Sequence, residues 1–325
     1  PHRGSCRRRR SAATTMAVAP AAGGEGGQRR LSEGLLSELQ RNSRSLTALE
    51  LARAEDFDDA AVERIAASLA TNSHLTHLDL RGNSIGPKGA KRLAIALAQN
   101  TALTHLDLEN NILGAEGAEL IATALSQNAT LTRLELGNQF LGAVGVALLA
   151  TALEHDRGRA LRELGLAGTS CGPEGAERLA SVLGSNPGLL RLELAGNAIG
   201  AAGCEFMAAA LEGNGTLREL GLRGNNATDR GAERLAAGLR RNSTLLRLNL
   251  AYNNLTEPAV EALQQAAGQR RAPAKKLKIE LRGNATGGDS PPSGGASPAA
   301  STTAGGSPGA TPAAASSARE HRRQS

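Results

Sequence analysis

The chain has 325 residues, of which 40% are hydrophobic and 21% are charged, with a formal net charge of +6, three cysteines and no tryptophan. Five arginines precede residue 11 and residues 319–323 add a net charge of +2, which leaves a net charge of −1 for residues 16–318. A nearly neutral body argues against a nucleic-acid or membrane surface on the folded part, and three cysteines are too few for a disulfide framework.

The two ends of the chain differ in composition from the middle. Residues 1–30 are rich in Arg, Ala and Gly, and residues 287–325 are rich in Ser, Pro, Gly and Ala. Neither segment carries enough large apolar side chains to bury a core, so we predict that both are disordered. No apolar run is long enough to cross a bilayer. We therefore expect a soluble, cytoplasmic, monomeric protein whose folded domain spans residues 31–286.

Folded structure is predicted to begin with a helix. Residues 31–42 match the second half of the repeat that follows, with Leu35 and Leu39 at helical spacing. A polar helix at the start of an array covers the first exposed edge of its core. We therefore predict an N-terminal capping helix at 31–42.

A pattern of about 28 residues then fills the chain. The segment LTHLDLRGNSIGPKGAKRLAIALAQNTA, which begins at Leu75, returns at Leu103 as LTHLDLENNILGAEGAELIATALSQNAT. Repeats open at Leu46, Leu75, Leu103, Leu131, Leu161, Leu189, Leu217 and Leu245, and a ninth strand sequence, KLKIELRGN, ends at Asn284. A fixed period of this length is typical of a solenoid.

Each repeat combines two hydrophobic periods. Its first part, L-x-x-L-x-L-x-G-N, alternates apolar and polar residues as a short strand does. Its second part has the helical spacing i, i+3, i+4 and i+7, as in Ala90, Leu93, Ala94 and Leu97. Stacked β/α units place parallel strands on a concave face and helices on a convex face. The predicted fold class is therefore α/β, a right-handed horseshoe-shaped solenoid.

Two sets of asparagines recur in the repeat. The Asn that closes the strand motif can bond the backbone of neighbouring turns as a ladder, which we expect Ala54, Gln139 and Thr169 to interrupt. The Asn near each helix end, such as Asn100, suits a left-handed C-terminal cap.

These strand and helix motifs resemble the ribonuclease-inhibitor type of leucine-rich repeat, which is also found in NOD-like receptors and in Ran GTPase-activating proteins. The resemblance covers roughly residues 31–286 and implies a horseshoe that binds other proteins. Its Ran branch implies an alternative function, in which the chain is an accessory protein that speeds GTP hydrolysis on a small GTPase.

The third, fifth and seventh side chains of each strand motif are expected on the concave face. The third positions are Ala48, His77, His105, Arg133, Glu163, Arg191, Glu219, Arg247 and Lys278. The fifth positions are Glu50, Asp79, Asp107, Glu135, Gly165, Glu193, Gly221, Asn249 and Glu280. Parallel strands lie about 4.8 Å apart, so the four leading carboxylates are near neighbours of like charge, and we expect the third positions to neutralise them.

Two interpretations of these charged rows remain open. The rows form a self-compensated lattice, in which each exposed ion pair contributes about 0–1 kcal/mol, or they form a docking face for a charged protein partner. The candidate partner-binding residues are Glu50, His77, Asp79, His105, Asp107, Arg133, Glu135, Arg191, Glu193 and Arg247. With only three Phe and one Tyr in the chain, binding is expected to be modest and electrostatically steered. The loop edge of the array is the competing surface.

The paired THLD sequences place two imidazoles and two carboxylates, from His77, Asp79, His105 and Asp107, on one face, a set that Zn²⁺ could use. Repeat duplication produces the same set without a metal, so we expect titrating histidines and neither metal nor cofactor. The sequence lacks a nucleophile elbow, a Walker loop and a dinucleotide fingerprint. It therefore predicts a non-enzymatic protein-binding scaffold without catalytic residues.

Overall fold

A computed structural model describes residues 31–270 and 276–285, together with the backbone of residues 16–17. The segments 1–30 and 287–325, which the sequence predicts to be disordered, lie outside the described residues except at Met16–Ala17. That pair forms a short strand, β1, alongside residues 49–50, and the disorder of the two segments stays a prediction.

The described residues form one parallel sheet covered by helices. Its strands follow chain order and are β1 (Met16–Ala17), β2 (Ala48–Glu50), β3 (His77–Asp79), β4 (His105–Asp107), β5 (Arg133–Glu135), β6 (Glu163–Gly165), β7 (Arg191–Glu193), β8 (Glu219–Gly221), β9 (Arg247–Asn249) and β10 (Lys278–Glu280). The α-helices are α1 (Glu33–Gln40), α2 (Asp59–Leu69), α3 (Pro87–Gln99), α4 (Gly114–Gln127), α5 (Gly142–Ala152), α6 (Gly172–Leu183), α7 (Gly200–Gly213), α8 (Thr228–Arg241) and α9 (Glu257–Gly268). This alternation confirms the predicted α/β solenoid.

One continuous core lies between the sheet and the helices. In the second repeat Leu75, Leu78 and Leu80 of the strand motif are buried against Leu93 and Leu97 of α3. The same positions are buried in the other repeats. Removing the apolar surface of one leucine side chain from water stabilises the folded chain by about 2 kcal/mol. No single repeat encloses its own core, so the stability of each depends on its neighbours.

Helix α1 lies within the segment where the sequence predicts a capping helix. Ser32 begins it, because the side-chain oxygen of Ser32 accepts a hydrogen bond from the Leu35 amide at 3.2 Å. Leu36 and Leu39 face inward and are buried. The helix therefore covers the first edge of the core with a polar outer surface.

The strand-end asparagines form the predicted ladder. Asn253 is fully buried, and its Nδ2 donates to the Leu222 carbonyl at 2.7 Å. Its Oδ1 accepts from the amides of Asn225 and Ala227 at 3.0 and 3.1 Å. One side chain thereby joins two repeats through three backbone groups that water cannot reach.

The expected interruption at Gln139 is wrong. Gln139 is buried, its Nε2 donates to the Leu108 carbonyl at 2.8 Å, and its Oε1 accepts from the Leu113 amide at 3.2 Å. The ladder accommodates the extra methylene of glutamine, so Gln139 bonds the backbone carbonyl and amide of the preceding repeat as an asparagine would. Thr169 offers only a hydroxyl, which donates to the Leu166 carbonyl, and Ala54 has no polar side-chain atom.

The prediction of left-handed caps at the helix ends is also wrong. Asn100 has extended backbone angles, φ −71° and ψ 134°. Its Nδ2 donates to the carbonyls of Leu69 and Asn72, while its Oδ1 accepts from the amides of Ala102 and Leu103. Cross-repeat bonding therefore decides its conformation, and the helix-end asparagines form a second ladder. Its other members are Asn72, Asn128, Asn186, Asn214 and Asn242.

Candidate functional site

The cross-strand register lines up the predicted rows. His77 pairs with His105, Asp79 with Asp107, and the same correspondence continues from β2 to β10. We call the surface made by the third and fifth positions of these strands the strand face. It contains all ten candidate partner-binding residues, since each occupies the third or fifth position of a described strand.

The leading carboxylates are neutralised differently from the prediction. The guanidinium of Arg81, at the seventh position of its repeat, lies 3.0 Å from Asp79 Oδ2 and 3.9 Å from Asp107 Oδ2. Arg133, at a third position, lies 3.0 Å from the Glu135 carboxylate. The counter-charges therefore come from two rows. The sequence analysis placed the seventh position on the concave face but gave it no part in neutralising the acids, although the arginine between two acidic repeats was a visible signal.

The fifth side chains also hold the turns that follow their strands. Asp79 accepts from the Arg81 amide at 3.1 Å, and Asp107 accepts from the Glu109 amide at 3.0 Å. Asn249 makes the equivalent bond to the Ala251 amide at 3.0 Å. Asp and Asn both supply this acceptor, so the bond does not depend on a negative charge. Gly165 and Gly221 occupy the same position without a side-chain acceptor.

The two histidines of the strand face stack on each other. Their ring centroids are 4.1 Å apart and the ring planes differ by 16°. Nδ1 of His77 lies 2.8 Å from the Thr76 hydroxyl, whose proton is donated to the Thr47 carbonyl. Nδ1 must therefore be the donor, which leaves Nε2 of the neutral ring as the acceptor. Thr104 holds His105 in the same way.

The candidate zinc set does not assemble. Among residues 31–270 and 276–285, no group of three or more His, Cys, Asp or Glu side chains is placed to hold a metal ion. The cause is visible in the contacts: Nδ1 of each ring faces a threonine hydroxyl, while the carboxylates of Asp79 and Asp107 face backbone amides and Arg81.

Partial burial shifts several pKa values on this face. Burial raises the pKa of the carboxyls of Asp107, Glu135 and Glu193, against the opposing effect of their hydrogen bonds. Burial lowers the pKa of His105, and the positive charges of His77 and Arg133 lower it further. Charge on this face is therefore incompletely solvated, and a partner of opposite charge would relieve that cost.

From β5 onward the strand face alternates in charge and in size. The third positions run Arg133, Glu163, Arg191, Glu219 and Arg247, and the guanidinium of Arg247 lies 3.2 Å from the Glu219 carboxylate. The Glu193 carboxylate lies over Gly221, where an added Cβ would approach it within 2.0 Å. Glycine here makes room for a neighbour's side chain, a role that the sequence analysis missed.

Two shallow depressions divide the strand face. A depression of about 570 Å³ lies over β2 to β5 and is lined by the leading carboxylates and both stacked histidines. A second depression of about 340 Å³ lies over β7 to β10, and its charged lining consists of Arg191, Arg247 and Lys278 together with Glu193, Glu219 and Glu280. The N-terminal half is therefore acidic with imidazole, whereas the C-terminal half has cations and carboxylates in equal number.

The loop edge carries the most exposed aromatic side chain among the described residues. Phe140 is 83% exposed, and Ile112, at the equivalent position of the preceding repeat, is 67% exposed. Both lie in turns that lead into helices, outside the strand face. This edge remains the competing surface for a partner.

Fold and surface together define a leucine-rich-repeat solenoid with a polar strand face. The family model described as TMOD/LMOD Leucine-rich domain matches residues 32–145, and the Leucine Rich repeat model matches residues 185–208 and 241–263. These matches support leucine-rich repeats. The narrower resemblance to NOD-like receptors and Ran GTPase-activating proteins stays an expectation.

Solved structures similar to this chain include the actin-binding site 2 domain of leiomodin-1, at 25% identity and a TM-score of 0.39 over 42% of this chain and 80% of that chain. The tropomodulin C-terminal domain of Caenorhabditis elegans matches at 17% identity and a TM-score of 0.41, over 47% of this chain and 92% of that chain. The search of curated proteins found no match. In the part of the chain that the structure describes, every helix is too short or too polar to cross a bilayer.

Proposed function

We propose that this chain is a non-enzymatic scaffold that binds a protein partner on the strand face. The observation that carries the proposal is the unbroken register of β2 to β10, which aligns charged side chains in rows while the opposite face of the sheet is buried under helices. A leucine-rich-repeat domain is in general a protein-interaction module, and rows of this length suit an extended surface.

The chemistry of the strand face favours a protein over a small substrate. Both depressions are shallow, and polar side chains line them without the enclosure of a typical ligand pocket. Carboxylates and arginines alternate along the third positions of β5 to β9 at the spacing of the strands, so a partner is recognised by the order of its charges. Free, buried Cys171 and Cys204 fit the reducing cytoplasm that we propose as its location.

Neutralising the leading carboxylates tests this proposal. In the full chain, Asp79→Asn, Asp107→Asn and Glu135→Gln remove three charges, and the two asparagines keep an acceptor for the turn amides, as Asn249 does. A matched control carries Glu116→Gln, Glu119→Gln and Glu177→Gln on exposed positions of α4 and α6. Partners captured from cell extract are identified and compared between the two variants.

The strand-face variant should lose a partner that the helix-face control retains. If the two triple variants capture the same partners and Phe140→Ser alone abolishes capture, the loop edge is the binding surface and the proposal is wrong.

The alternative function, a GTPase-activating accessory, has no supporting observation among the described residues. This alternative predicts that adding the chain to a purified small GTPase speeds GTP hydrolysis. Binding without any change in hydrolysis supports the scaffold.

A further inference from the structure

The turn at Tyr252 carries a residue type that its backbone conformation disfavours. The eighth position of the strand motif has positive φ in each of the nine turns described, at Arg53, Gly82, Asn110, Asn138, Gly168, Gly196, Gly224, Tyr252 and Gly283. Seven of these residues are Gly or Asn, the types that tolerate this conformation. Tyr252 has φ 57°, and a bulky residue with positive φ is strained. Strain of this kind is concentrated at functional sites.

The Tyr252 ring is held on both sides by neighbouring repeats. The Arg223 guanidinium carbon lies 4.6 Å from the ring centroid, which is a cation–π contact. Gly283 lies against the ring, because a Cβ added there would approach ring carbon Cδ1 within 2.4 Å. The side chain is nevertheless 44% exposed. We call Arg223, Tyr252 and Gly283 the Arg–Tyr platform. It presents a rigid aromatic side chain and a cation, the residue types that dominate binding hot spots.

Exposed cations surround this platform. Arg223, Arg247, Lys278 and Arg282 are all exposed. Two of the nearby carboxylates are partly engaged: Glu219 lies 3.2 Å from Arg247 and 4.0 Å from Arg191, and Glu193 accepts from the Ala195 amide at 3.1 Å. Glu280 is the third carboxylate at this end and is exposed. Arg191 and the four exposed cations outnumber these three carboxylates by two, so a net positive charge remains.

We propose that the Arg–Tyr platform, with Arg247, Lys278 and Arg282, docks an acidic peptide segment of a protein partner. This inference rests on the proposed function and assigns the charge of the partner at one end of the strand face. The third positions of β7 to β10 span three strand spacings, about 14 Å, which about four extended residues cover.

A nucleic acid fits this surface less well than a peptide does. Glu193, Glu219 and Glu280 lie among the cations, and they would repel a continuous phosphate backbone. Separate carboxylates on a peptide can approach the arginines and avoid these glutamates. Arg223 and Tyr252 then provide contacts that depend on geometry as well as on charge.

Tyr252→Gly is a sharp test because glycine is the residue that other repeats use at this position. The variant relieves backbone strain, so it should fold at least as well as the parent, which thermal unfolding checks. Arg53→Gly is the matched control, since it relieves the same strain at the opposite end of the array. Binding is measured by fluorescence anisotropy with a labelled peptide of about five residues in which glutamate alternates with glycine, its glutamine counterpart and a single-stranded oligonucleotide.

The acidic peptide should bind the full chain about tenfold more tightly than the glutamine peptide. Tyr252→Gly should raise the Kd of the acidic peptide about tenfold. Arg53→Gly should leave Kd unchanged. Equal binding by Tyr252→Gly and the parent overturns the inference, as does tighter binding of the oligonucleotide than of the acidic peptide.

The experiments distinguish failure of this inference from failure of the proposed function. If partner capture depends on the leading carboxylates while Tyr252→Gly has no effect on peptide or partner, the strand face binds a protein and only the present inference is wrong. If capture is indifferent to both changes, both proposals are wrong.

Discussion

Removal of the buried ladder asparagine Asn253 tests how repeats are coupled. Asn253→Ala leaves the Leu222 carbonyl and the amides of Asn225 and Ala227 without their side-chain partners. A buried backbone group without a partner costs about 1–3 kcal/mol. The three groups together predict a loss of at least about 3 kcal/mol in the free energy of unfolding.

Asn83 provides a control with the same chemistry and less burial. Its side chain bonds the Leu51 carbonyl and the Ala54 amide in the same geometry, but the residue is half-buried. Leu51 is fully buried but Ala54 is half-buried, so water can replace the bond to the Ala54 amide, and Asn83→Ala should cost about 2 kcal/mol, less than Asn253→Ala. Asn253→Thr, which mimics Thr169 of the fifth repeat, keeps a hydroxyl and should lie between the two.

Urea unfolding followed by circular dichroism measures these losses, because the chain has no tryptophan to report by fluorescence. Hydrogen exchange adds a local measurement, since the amides of Asn225 and Ala227 should lose protection in Asn253→Ala. Equal losses for Asn253→Ala and Asn83→Ala, with protection of both amides intact, would refute the reasoning that burial sets the strength of the ladder.

Three further changes follow from the strand face and the ladder. Lowering the pH from about 7.5 to about 5.5 should destabilise His105→Gln less than the parent. Burial lowers the pKa of His105 in the folded chain. The neutral imidazole therefore contributes to the free energy of unfolding above the ordinary pKa of 6.5, and this contribution is lost as the pH falls towards the folded pKa. His155→Gln, at an exposed site, should leave that pH dependence unchanged in urea unfolding. Asp107→Asn should keep or raise the unfolding free energy at neutral pH, since burial raises the carboxyl pKa and Asn retains the bond to the Glu109 amide, whereas Asp107→Ala should lose about 1 kcal/mol. Thr169→Asn should add about 1 kcal/mol by completing the ladder, and a lower urea midpoint would show that the site cannot accept the amide.

Most of the repeat geometry could be predicted because it is periodic. A strand period followed by a helical period at fixed spacing leaves one way to bury the leucines, and that arrangement also fixes which side chains share the strand face. The rows containing His77 and Asp79 were therefore assigned correctly from spacing alone. Partner binding by these rows also depends on the surface of the partner, which spacing in this chain does not reveal, so the binding role stays a proposal.

The sequence by itself determined the repeat, the strand face and the composition of its rows, because these depend on spacing along the chain. Only the tertiary structure decided which atoms meet between repeats. Gln139 continues the ladder, Arg81 neutralises two aspartates, and Asn100 bonds across repeats in an extended conformation. These contacts depend on rotamers and backbone angles, which a one-dimensional pattern does not encode.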